Sequence, residues 1–152
     1  MERSSWMGRV AGLAVALAVG CSTVVPLAEV APGSGSPPEL GSSFNVSVGE
    51  DSVRLELHVT NVTSAAMALE FTSSQRYDFA VATTAGEVVW RWAADRSFMQ
   101  ALGAERLEPG ESRRYTAVWP APGRQADYVA TAWLTSQNYP VELRTVFRLP
   151  DG

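Results

Sequence analysis

Apolar residues alternating at period two, short runs separated by Pro and Gly turns, and no long amphipathic helical pattern predict an all-β domain. The class is an immunoglobulin-like antiparallel β-sandwich of seven to eight short strands, preceded by a signal peptide and a flexible linker. The chain has 152 residues, enough for one such domain plus a short extra segment.

Residues 1–20 carry Arg3 and Arg9 and then the uncharged run VAGLAVALAVG, which reads as a bacterial signal peptide. Eleven residues are too few for a helix across a hydrocarbon core that needs about 20. LAVGC resembles a lipobox, the site at which bacterial lipoproteins are lipidated and cleaved, with Leu17, Val19, Gly20 and Cys21 fitting and Ala18 a less usual residue. This makes Cys21 the lipid anchor, and two or three acyl chains on it would hold the protein at a cell membrane or outer membrane. No second cysteine exists, so the domain must be stable in an oxidising compartment without a disulfide. From residue 22 to 41, STVVPLAEVAPGSGSPPELG lacks aromatic residues and is rich in Pro and Gly, which reads as a tether. Its ends would lie ~25 Å apart as a flexible coil. The expected organisation is therefore 1–20 signal peptide, 21–41 lipidated cysteine and linker, and 42–152 sandwich.

Within the domain, Val53, Leu55, Leu57 and Val59 alternate with Arg54, Glu56, His58 and Thr60, the pattern of a strand with one face in the core. Tyr77, Phe79 and Val81 alternate with Asp78 and Ala80, and TTAGE then leads into VVWRWA as a hairpin. Alternation places Val88, Trp90 and Trp92 on one face, with Trp90 as the central core tryptophan and Trp92 nearer the strand end. DRSFMQAL can form one helical turn, with Phe98, Met99 and Leu102 tucked against that end. SRRYTAVW, DYVATAWLTS and VELRTVFRL supply three further strands, each entered through a Pro- or Gly-containing turn.

Charge and composition narrow the function. All 12 basic residues are arginines against 16 acidic residues, a net charge of -4, so no basic field attracts nucleic acid. One histidine, His58, on a polar strand face is a poor basis for acid–base catalysis, and no GxSxG elbow supports a nucleophile. No Cys/His cluster or calcium loop is present, and no phosphate-binding glycine loop. The chain reads as a binding module with no enzyme activity, cofactor or metal.

FTSSQRYDFAV, GEVVWRWAADRSFMQAL and LEPGESRRYTAVW, in that order, resemble the BsuPI-type intracellular proteinase inhibitor family. Asn61, Phe71, Gln75, Tyr77, Asp78, Phe79, Trp90, Phe98, Gln100, Leu107, Pro109, Gly110, Glu111, Tyr115 and Trp119 fit its positions, over residues 55–136. Ser74 stands where the family often has Gly before Gln. The resemblance implies an immunoglobulin-like sandwich that inhibits a subtilisin-like serine protease. The lipobox departs from it, since an exported inhibitor does not meet a cytoplasmic protease. Inhibition would need a rigid, exposed loop presented to the protease cleft. The first candidate is residues 93–103, with Phe98, Met99 and Gln100 as contact residues, because such a cleft favours a large apolar side chain. Residues 120–127 with Arg124, and the turn at Tyr139 and Pro140, are the others. The rival reading is an envelope lipoprotein that binds another envelope protein or a polymer without inhibiting anything.

Overall fold

A computed structural model describes residues 35–121 and 125–150. The signal peptide, Cys21 and most of the linker lie outside the described residues, as does Arg124.

Nine strands run through the described residues, one or two more than expected. They are β1 (Leu40–Val48), β2 (Val53–Asn61), β3 (Met67–Phe71), β4 (Tyr77–Thr83), β5 (Val88–Arg91), β6 (Gly103–Leu107), β7 (Ser112–Trp119), β8 (Ala126–Leu134) and β9 (Val141–Leu149). All pairings are antiparallel, in a β1-β2-β7 sheet, a β5-β4-β8-β9 sheet and a β3-β6 pair. β1 begins at Leu40, two residues before the expected domain start, and Leu40 is buried in the core. Gly35 exchanges main-chain hydrogen bonds with Glu142 at 2.7 and 3.0 Å, so the incoming chain lies along β9.

One face of each larger sheet is apolar, and the two faces close on a single core. β2 contributes Val53, Leu55, Leu57 and Val59, the residues whose alternation marked that strand. β4 and β8 meet them with Phe79, Val81, Ala130, Ala132 and Leu134, while β3 and β6 close one end with Leu69, Phe71 and Leu107. Among the described residues, every core residue falls between Leu40 and Leu149.

Two expectations about tryptophan require correction. The deeply buried indole is Trp119 on β7, edge-on to Tyr128 at 5.3 Å, whereas Trp90 is half-buried at the side of the core. Nor do Val88 and Trp90 share a face. Trp90 pairs with Val81 and Val88 with Ala82, so two residues of β5 span one step of β4. This bulge turns Val88 to the outer face with Ala82, because an inserted residue inverts the alternation beyond it.

Asn61, fully buried, explains how the turns at one end are held. Its amide donates to the carbonyls of Ala65 (2.7 Å) and Leu107 (3.1 Å), while its oxygen accepts from the Thr63 N–H and hydroxyl. All four side-chain hydrogen-bonding positions are used, so burial costs little. Gly110, at φ 76, supplies the left-handed residue of the LEPGES turn.

Candidate functional site

The segment from β5 to β6, residues 92–102, leaves the sandwich at one side. A buried carboxylate fixes its start. Asp78 accepts from Phe79 N–H (2.8 Å) and Ala93 N–H (3.1 Å) through one oxygen and from Arg91 Nε (2.7 Å) through the other. The sequence placed Asp78 opposite the core. It is buried nonetheless, because the Arg91 guanidinium and the Ala93 amide enclose and neutralise it.

The next residues rest on a column of rings. Tyr115 stands 4.9 Å from Tyr77, Tyr77 stands 4.3 Å from Trp92, and Trp92 stands 5.8 Å from Phe98. Arg96 covers Trp92 at 4.4 Å from the ring centroid. Phe98 is accordingly half-buried, as the tucked reading expected. Burial raises the Tyr115 hydroxyl well above its ordinary pKa, and the Glu105 carboxylate beside it acts in the same direction.

Met99 and Leu102 behave differently. No helical turn forms at DRSFMQAL, and neither side chain tucks in: Met99 is 73% and Leu102 86% exposed. Yet the Met99 main chain is fixed on both sides. Its N–H donates to Ser74 Oγ at 2.9 Å, and its carbonyl accepts from Ser74 N–H at 2.9 Å and Ala101 N–H at 3.0 Å. Gln100 beside it is exposed. The far end is held by Arg76, which donates to Glu105 (2.9 Å) and to the Ser73 carbonyl (2.6 Å). A Cβ on Gly103 would lie 2.8 Å from Arg76 Nη2, so a glycine there lets the guanidinium close over the strand start.

Of the sequence candidates, then, Phe98 is a support while Met99 and Gln100 face solvent. Sequence reasoning missed the outward turn of Leu102 and the bracket by Ser74, although Ser74 stood out as a departure from the resembling pattern. Of the other two candidate loops, the Tyr139–Pro140 turn is tied to the sandwich. Asn138, beside the Tyr139–Pro140 turn, donates to the Ala68 carbonyl and accepts from Glu70 N–H, and Tyr139 packs partly on the core. The loop at 120–127 is described only at its ends.

His58 pairs with Glu56 on the same strand at 2.5 Å, and that hydrogen bond holds the Glu56 carboxyl below its usual range. Among the described residues no three His, Cys, Asp or Glu side chains gather as metal ligands.

A sandwich that projects an apolar tip on a braced main chain belongs to the class of binding proteins. The sequence model of the BsuPI family, intracellular proteinase inhibitors, matches residues 40–139. The chain belongs to this family of proteinase inhibitors. No curated protein matches it. Among solved structures, a penta-heme cytochrome c552 from Thermochromatium tepidum is similar at TM-score 0.47 and 14% identity, over 73% of this chain and 40% of that one. β-Glucosidase 3B from Thermotoga neapolitana is similar at TM-score 0.43 and 18% identity, over 76% of this chain and 16% of the enzyme. The chain thus spans less than half of either protein, and likenesses this weak bring nothing of their activities to it.

Proposed function

We propose that this protein is a lipid-anchored exported inhibitor of a subtilisin-like serine protease, with residues 93–103 as its contact loop. The observation that carries the reading is the contrast at Met99, whose side chain points to solvent while its N–H and carbonyl are both held by Ser74. A cleft that takes an extended strand with a large apolar residue pays least entropy for a segment already fixed in place. Met99 would fill the apolar subsite, with Gln100 and Leu102 lying alongside. The lipobox at Cys21 and the linker after it would place this loop outside the cell, so the target is an exported protease rather than a cytoplasmic one.

The test is a titration of a subtilisin-like protease with residues 22–152, following activity on a small peptide substrate. Stoichiometric loss of activity, absent in Met99→Asp, is the expected result. Full protease activity in excess of folded inhibitor refutes it, and equal inhibition by Met99→Asp removes this loop. The anchor is tested separately by mass spectrometry of the full chain, which shows acyl chains on Cys21 and none in Cys21→Ser.

A further inference from the structure

Both larger sheets end in an open strand on the same side of the sandwich. β7 is the last strand of its sheet and β5 the last of the other, and no described strand pairs with their outer sides. Between them lies a groove of about 480 Å³, lined by Trp90, Arg91, Trp92 and Arg96 on one wall and Thr116 to Val118 on the other, with Asp95 at the rim.

The hydrogen-bond register shows what β7 presents to that groove. Asn61 N–H donates to the Glu111 carbonyl at 3.0 Å, and Gly110 N–H donates to the Asn61 carbonyl at 2.8 Å. Bonded and non-bonded pairs alternate along an antiparallel ladder. From Asn61 opposite Glu111, the bonded pairs continue as Val59 with Arg113, Leu57 with Tyr115 and Leu55 with Ala117. Arg114, Thr116 and Val118 therefore turn their N–H and carbonyl groups away from β2, toward the open side.

Sheet edges are usually blunted by charge, proline or a bulge. Here Arg114 guards only the start, and the first proline, Pro120, follows the strand end. Val118 is 52% exposed beside the half-buried Trp90. Arg54, opposite Val118 on β2, and Arg96, in the groove wall, make no ion pair with a carboxylate among the described residues.

We propose that this groove binds an extended acidic peptide segment of a partner protein, which adds as a fourth strand to β7. The partner's main chain pairs with Arg114, Thr116 and Val118. Its apolar side chains turn inward toward Trp90, and carboxylates at the alternate positions turn to the outer face that Val118 shares with Arg54, within the field of Arg96 on the groove wall. The chain's net charge of -4 opposes acidic ligands in general, so the recognition depends on these two arginines.

The test uses 15N-labelled residues 22–152 and a capped peptide of nine alternating valines and glutamates. The expected result is movement of the Arg114, Thr116 and Val118 amide signals and of the Trp90 indole signal. A valine–lysine peptide should bind about tenfold more weakly or worse. Thr116→Pro deletes one outward N–H without breaking a bond to β2, and Val118→Glu places a like charge in the groove. Each should weaken binding about tenfold. No movement at millimolar peptide, movement at β9 instead, or unchanged affinity in whichever variant stays folded overturns the proposal. None of these outcomes depends on inhibition.

Discussion

Replacing Ser74 with Ala isolates the bracket on the loop at Met99. The substitution removes the Oγ that accepts Met99 N–H at 2.9 Å and keeps the Ser74 N–H that donates to the Met99 carbonyl. The lost bond is solvent-exposed and neutral, so its net value is at the low end, ~0.5–1 kcal/mol. That energy holds the loop in one geometry, and its loss should appear as an inhibition constant raised about two- to fivefold. The core is untouched, so the urea midpoint should fall by no more than the ~0.3–0.7 M that the same energy gives. The assay pairs the inhibition constant against a subtilisin-like protease with hydrogen exchange at the Met99 amide. Faster exchange with an unchanged inhibition constant would refute the reasoning, because the bracket would then be loosened without consequence for binding. Ser74→Gly, the residue the family often carries there, should behave as Ser74→Ala does.

Asn61→Ala deletes four hydrogen bonds at a fully buried side chain, which should cost ~3 kcal/mol and lower the urea midpoint by ~2 M; a shift under ~0.7 M would contradict it. Tyr115 titrates higher when folded than the ordinary value of 10, so its contribution is complete below that pH and is lost as pH rises above it. Urea midpoints should thus fall on the alkaline side of pH 10 and fall less in Tyr115→Phe. Hydrogen peroxide should transfer one oxygen to the exposed Met99 sulfur, leaving water, before it reaches buried Met67. Peptide mass mapping reads the site, and the polar sulfoxide should weaken inhibition about tenfold while Met99→Leu resists.

The strands were legible where one face meets the core and the other meets water. β2 is the clear case, since Val53 to Val59 alternate without interruption and all four are buried. The β3-β6 pair was not, because MALEF and GAERL are five residues each and offer too few repeats to separate from loop. Val88 was misplaced because period two carries a face assignment only through an unbroken ladder, and the bulge at Val89 resets it. Within residues 92–102 the structure departs from the sequence reading in its details. Helical spacing suggested that Phe98, Met99 and Leu102 would tuck in together, but without a helical turn only Phe98 packs against Trp92 while Met99 and Leu102 face solvent. The bracket at Met99 joins residues 25 apart and has no sequence signature.

Small binding domains often hold their loops with disulfides, a device closed to a sequence with one cysteine, Cys21. Here packing and charge take that role. The ring column from Tyr115 to Phe98 joins the core to the loop, Asp78 fixes the start through Ala93, and Arg76 closes the end over Gly103. Each support acts on the main chain or on Phe98, and none touches the side chains of Gln100 or Leu102. The tip can therefore change chemistry without unfolding the loop. It follows that substitutions at Met99, Gln100 and Leu102 should alter which protease is bound and leave stability within about 0.5 kcal/mol, as for other exposed positions. Substitutions at Tyr77, Asp78 or Trp92 should loosen the loop and lower stability together.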